Sequence, residues 1–232
     1  MAHLTKQELR RDPIRDFLMR ILGFFTEKAE RAYWALGALL VLGAIAAFQA
    51  MNRPKPNPET QLAYLQAITW LASGDTTRAL PLLKNLTEQY PGTPEGKAAL
   101  YYLGTHYLNF GDPEKAKTYL DQFLKSNPQD PYLKGFALSK LGDIALDQGD
   151  PEQALAYYEE AAKLVDFPSF HALLTLKKAT ALKLQGRYQE ALSLIQDYRK
   201  AHRKELGGFA RSFTEMEREL EGLLLAQEGS GA

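Results

Sequence analysis

The apolar and polar positions of this chain fall into three regimes. Residues 1–31 are rich in charge but carry an apolar series, Ile14, Phe17, Leu18, Ile21, Leu22 and Phe25, at helical spacing. Residues 32–52 hold no charged side chain at all. From residue 60 onward apolar and polar residues alternate with a helical period, interrupted at regular intervals by short glycine-led stretches. These stretches are Gly74-Asp75-Thr76-Thr77-Arg78-Ala79-Leu80, Gly111-Asp112-Pro113-Glu114-Lys115-Ala116-Lys117, Gly149-Asp150-Pro151-Glu152-Gln153-Ala154-Leu155 and Gly186-Arg187-Tyr188-Gln189-Glu190-Ala191-Leu192. They recur after 37, 38 and 37 residues, a period that marks a stack of repeated units.

Each stretch predicts a helix–turn–helix junction. Glycine closes one helix because it enters the left-handed region without a Cβ clash. Asp75, Asp112 and Asp150 then accept from the free amides of the next helix. Pro113 and Pro151 occupy a first helical position, where the missing N–H costs nothing. Two columns of small residues stay in phase with the junctions: Ala67, Gly104, Gly142 and Ala179 before them, and Ala79, Ala116, Ala154 and Ala191 after them. Small side chains on both helices let the backbones approach. Trp70, Tyr107 and Leu182 fill the layers from first helices, and Leu83, Leu120, Tyr158 and Ile195 from second helices. Ala145 stands where its counterparts are large, so that layer is expected to be thinner. Pro91 and Pro128 close the second helices of the first two units.

This pattern resembles the tetratricopeptide repeat. Leu100, Leu103, Gly104, Tyr107, Ala116, Leu120, Phe123 and Pro128 match nearly every signature position of one repeat. The resemblance covers four repeats within residues 60–205 and implies an all-α solenoid of four helix pairs. The units run longer than usual, with the excess in the loops between repeats. Thr175, Lys178 and Arg203 depart from the pattern in the fourth. Residues 206–227 form a capping segment: Gly207-Gly208 breaks the chain, and Phe209 to Gln227 predict one more helix, with Phe209, Phe213, Met216, Leu220, Leu223 and Leu224 on one face. A terminal helix of this kind caps the last exposed core face of a solenoid; dimerisation through it is the competing reading. Residues 228–232 read as a disordered tail.

The uncharged stretch is expected to be a transmembrane helix over residues 32–52. Its 21 residues reach across roughly 30 Å of hydrocarbon. Leu36, Leu39, Leu40, Val41, Leu42, Ile45 and Phe48 favour insertion, and Tyr33 and Trp34 sit where an aromatic belt would. A signal peptide cleaved near Ala44-Ile45-Ala46 is the rival reading. Residues 1–31 carry seven basic side chains, whereas only Arg53 and Lys55 follow the span closely. That asymmetry keeps the N-terminal segment in the cytoplasm and sends the repeats to the far side, the periplasm of a bacterial inner membrane. The segment's apolar series reads as an amphipathic helix on the membrane surface, or packed on another protein. Residues 53–59 contain Pro54, Pro56 and Pro58 and read as an extended linker.

Composition narrows the function further. Lys and Arg total 28 against 28 Asp and Glu, so no excess of positive charge points to nucleic acid. Cysteine is absent, which excludes disulfides, thiolate metal sites and cysteine nucleophiles. His3, His106, His171 and His202 have no metal-ligand spacing, and no phosphate loop, dinucleotide motif or nucleophile elbow occurs. No catalytic residue, metal site, cofactor or small-molecule substrate is expected.

What the resemblance implies instead is a protein-binding groove lined by first helices. Carried over by position, its residues are Tyr64 and Ile68; Tyr101, Thr105 and Asn109; Ser139, Asp143 and Asp147; and Leu176, Thr180 and Lys183. Tyr64 and Tyr101 would give an aromatic end, and Asp143 and Asp147 an acidic centre. The lysine and asparagine pattern that clamps chaperone tails is missing at these positions. The layout of tail, anchor and repeats resembles that of the ancillary subunit of the bacterial Sec translocon. The expected role is therefore handling of secreted or envelope proteins, partnered by extended peptide, envelope proteins or the translocon and by the bilayer. The alternative is a scaffold for a division or outer-membrane assembly complex.

Overall fold

A computed structural model describes residues 29–51 and 57–230, together with positions 17 and 19. All regular structure among these residues is helical. The chain divides into two units, Met1–Lys55 and Pro56–Ala232. In the first unit α1 runs Ala29–Met51, 23 residues, with Trp34, Leu39, Leu40 and Phe48 exposed. Among the described residues, no helix is long and apolar enough to cross a membrane. Side chains at 29–32, 35 and 49–51 and all of 52–56 lie outside that description. So do the amphipathic series at 14–25, apart from helical positions 17 and 19, and most of the proline linker.

The second unit is the repeat stack. Its helices are α2 (Pro58–Ala72), α3 (Thr76–Gln89), α4 (Pro94–Asn109), α5 (Pro113–Lys125), α6 (Pro131–Asp147), α7 (Pro151–Leu164), α8 (Pro168–Leu184), α9 (Tyr188–Ala201) and α10 (Ala210–Ser230). Pairs α2/α3, α4/α5, α6/α7 and α8/α9 form the four repeats, and each helix packs mainly on its neighbours in the chain. This is the all-α solenoid read from the sequence.

The junctions explain the regularity. Gly74, Gly111, Gly149 and Gly186 have φ of 80, 76, 79 and 73°, the left-handed region that glycine enters freely. At Gly111, its own N–H donates to Leu108 O at 3.2 Å and the Asp112 N–H reaches back to Tyr107 O at 2.9 Å. The same two bonds recur at the other three junctions. Both satisfy carbonyls that a helix end would otherwise leave open. The aspartate then turns to the next helix: Asp75, Asp112 and Asp150 accept from the N–H of Arg78, Lys115 and Gln153 at 3.1, 3.1 and 2.9 Å. Arg187, in the fourth junction, offers no such cap.

Close approach follows from the small columns. Ala67, Ala79, Ala116, Ala154, Ala179 and Ala191 are wholly buried. A Cβ at Gly104 would meet the Leu120 side chain at 2.7 Å, and one at Gly142 the Tyr158 ring at 2.4 Å. The apolar core runs on through the repeat boundaries: Phe123 of α5, for example, clusters with Ala137 and Leu141 of α6. At the far end Phe213 and Leu220 of α10 complete the cluster begun by Ala191 and Ile195 of α9. A one-turn 3₁₀ segment, Gly207–Phe209, leads into α10. That helix runs on to Ser230, beyond the Gln227 expected as its end, because Glu228-Gly229-Ser230 contains no proline to stop it.

Candidate protein-binding groove

The first helix of each repeat supplies the candidate groove residues. At the start of the stack, a cavity of about 460 Å³ opens between α2 and α4. Ile68, Leu71 and Ala72 form one wall, and Tyr102, Thr105, His106, Asn109 and Phe110 the other. Three sequence-derived positions, Ile68, Thr105 and Asn109, therefore meet in one concavity. Phe110 is 68% exposed and its ring lies 4.4 Å from that of His106. Burial, and then the charge of Lys84, push the His106 imidazole below its usual pKa.

The two tyrosines expected at the aromatic end are parted by a third. Tyr102 stands 6.0 Å from Tyr64 and 5.1 Å from Tyr101, centroid to centroid. Tyr101 is turned into the core against Phe123 and is only 8% exposed. The Thr105 hydroxyl is closed off from solvent, beside the Tyr101 hydroxyl but short of a formed hydrogen bond. Burial, reinforced by Tyr102, raises the Tyr64 phenol well above its ordinary pKa, so it remains a neutral donor.

Further along the stack Ser139 is buried within α6. Asp143 is held from two sides: the Tyr158 hydroxyl donates to its Oδ1 at 2.8 Å, and the Lys177 ammonium pairs with both carboxylate oxygens. The acidic centre expected there is thus countered within the protein, leaving Asp147 as the exposed carboxylate of the pair. In the fourth repeat Leu176 packs against the terminal core. Thr180 donates to its own helix at Leu176 O, 3.0 Å away. Lys183 bonds Glu219 of α10 at 2.8 Å, tying the groove end to the cap.

Carry-over from the repeat pattern overlooked one column. Leu65, Tyr102, Lys140 and Lys177 follow the same 37, 38 and 37 spacing, two residues ahead of the small-residue column. Tyr102 lines the cavity with Ile68, and Lys177 bonds Asp143, so this column borders the same surface. The periodicity alone could have found it. Among the described residues no group of three or more His, Asp or Glu side chains could hold a metal ion.

Comparison with known proteins agrees with this architecture. Two profiles, each described as tetratricopeptide repeat, match residues 71–138 and 139–205. A crystal structure of MamA protein superposes with a TM-score of 0.52 at 18% identity, covering 72% of this chain and 90% of that one. PilW, titled a widely conserved type IV pilus biogenesis factor, gives 0.51 at 14% identity, covering 72% of this chain and 80% of that one. A kinesin light chain protein of Podospora anserina with nearly identical repeats gives 0.51 at 16% identity, covering 73% and 96%. At such identities the likeness is one of fold. No curated protein sequence matches the chain.

Proposed function

The chain belongs to the tetratricopeptide-repeat family, an interaction scaffold, and on that premise we propose that it is a membrane-anchored adaptor binding other proteins outside the cytoplasm. The observation that carries the binding role is the open cavity between the first helices of the first two repeats, lined by Ile68, Tyr102 and Phe110. An apolar concavity edged by a few polar groups is what a peptide side chain needs. Anchoring rests on sequence: 21 uncharged residues at 32–52, with seven basic residues before them. The large apolar side chains of α1 that the structure describes are exposed, Leu39, Leu40 and Phe48 among them. In this reading the N-terminal segment is cytoplasmic, the repeats are periplasmic and the membrane is a bacterial inner membrane. The protein then holds secreted or envelope proteins near the Sec translocon.

The cysteine-free chain makes the test direct. Single cysteines replace Lys6 and Glu221, and spheroplasts are treated with a membrane-impermeant maleimide. The cysteine at 221 is expected to label in intact spheroplasts, and that at 6 only after lysis; the reverse result removes the anchor topology. A photocrosslinking residue at Asn109 is expected to give protein adducts that one at Glu160, on a second helix, does not. Equal adducts from both positions would remove the groove. A crosslinker at Leu42 that never captures the Sec channel would remove the translocon assignment alone.

A further inference from the structure

One end of the stack differs from the rest in charge. Arg199, Lys200, His202, Arg203 and Lys204 fill five of six consecutive positions, with no acid among them. The same six positions in the first three repeats are 87–92, 124–129 and 162–167. They hold Glu88 alone, Lys125 alone, and Lys163 with Asp166. The negative end of the α9 dipole accounts for Arg199 and Lys200 in its last turn. It does not account for His202, Arg203 and Lys204, which follow the helix.

Where α10 comes alongside α9, a concavity of about 510 Å³ is lined by Gln196, Arg199, Lys200, Arg203 and Glu217. The acids around it are mostly engaged. Glu217 accepts from the Gln196 amide at 3.0 Å and pairs with Arg199. Glu205 stands 3.1 Å from the His202 ring, and Glu215 accepts from Arg211 at 2.7 Å. Lys200, Arg203 and Lys204 are exposed and form no ion pair or hydrogen bond among the described residues. Against them stands Asp197, exposed one turn before Lys200. Across residues 196–218 six Lys and Arg meet four Asp and Glu, so the end keeps an excess of positive charge.

The lining also says what kind of partner fits. It contains no apolar or aromatic side chain. A protein partner would find no buried anchor there, and a single nucleic-acid strand no stacking platform. Long flexible cations with nothing apolar between them suit a surface of spread negative charge, where each gains from proximity alone. We propose that this end of the stack docks on an anionic lipid surface, with Lys200, Arg203 and Lys204 among the headgroup phosphates. The Arg203 guanidinium can fork onto one phosphate. The inference goes beyond the groove and uses a different surface.

The test places the full chain in lipid nanodiscs of phosphatidylcholine, or of phosphatidylcholine and phosphatidylglycerol two to one. A single cysteine replaces Ala201, exposed beside the run, and carries a fluorophore. Lipids with a nitroxide headgroup quench it on contact. Quenching is expected in the anionic discs, weaker in the neutral ones, and lost as salt is raised to about 1 M, where screening acts within about 3 Å. The triple variant Lys200→Gln, Arg203→Gln and Lys204→Gln is expected to reduce quenching to the neutral level. Each cation near an anionic surface is worth about fivefold, so the three together shift docking by about a hundredfold. That variant should melt with the parent, because none of the three side chains holds a bond. Lys84→Gln with Lys125→Gln and Lys163→Gln removes the same net charge elsewhere and should leave quenching unchanged. Equal quenching in both discs, an unaffected site variant, or equal loss from the two triple variants overturns the proposal. So does a poly-glutamate peptide that abolishes quenching at physiological salt, since the partner would then be an acidic protein. A chain that does not enter the discs removes the anchor reading alone; added to vesicles of the same two compositions, it is expected to give the same pattern, and its failure there overturns the docking.

Discussion

At Gly142 a methyl group would sit 2.4 Å from the Tyr158 ring, and that ring is pinned by its hydroxyl on Asp143. Neither helix can yield without breaking the bond, so Gly142→Ala is expected to cost about 1–3 kcal/mol through overpacking, read as a lower urea midpoint. Gly111→Ala tests a different cause. Open space surrounds its Cβ position, but φ is +76°, so the penalty is backbone strain of about 1–2 kcal/mol. The capping aspartates add a pH dependence. The Asp75 carboxyl is held below its ordinary pKa first by the Thr77 hydroxyl, and that of Asp112 first by Lys115. The unfolded chain therefore takes up these protons before the folded one does. Their contribution is complete above the ordinary aspartate value of about 4 and is lost as pH falls through the lowered folded values. The paired variant Asp75→Asn and Asp112→Asn, which caps without titrating, should match the parent near neutral pH. It should then lose less stability than the parent on acidification; an identical acid profile would deny the caps this role.

The helix is the scale at which the sequence was most legible. Glycine, aspartate and alanine in fixed phase specify the two backbone bonds and the cap that close each pair, and these are local interactions. What the pattern hid was close contact outside the repeated columns, both across a short turn and between helices. A Cβ at Gly96 would lie 2.0 Å from Tyr90 O, and one at Gly135 would lie 2.3 Å from Val165, yet neither glycine belongs to the repeated columns. The terminal helix shows how neighbour-only packing apportions stability. Phe213 is wholly buried against α9, whereas Leu225 on the same helix is 70% exposed. Phe213→Ala is expected to cost about 3–5 kcal/mol, with hydrogen-exchange protection lost in α8, α9 and α10 and kept in α2 to α5. Leu225→Ala should change neither. Uniform loss along the stack would mean that the repeats unfold as one body.

Across the whole repeat unit the groove was only half legible, because periodicity places residues on a face but does not reveal their partners. Asp143 reads as a free acid until Lys177, 34 residues away, is seen to bond it. Tyr101 reads as a groove residue until its ring is found against Phe123. The same Phe123 sits at the sparsest seam of the stack. Consecutive helices α5 and α6 touch least, and their connection turns through Asn127 at φ 51°. That seam separates repeats one and two, which carry the apolar cavity, from repeats three and four, which carry Lys140 and Lys177. Phe123, fully buried with Ala137 and Leu141, is one of the side chains spanning it. In a stack whose coupling runs only through neighbouring interfaces, a weakened seam lets the two sides unfold independently. Phe123→Ala is therefore expected to split one urea transition into two. Hydrogen exchange should assign one step to α2–α5 and the other to α6–α10. A single transition that merely shifts to lower urea would show that other contacts couple the halves.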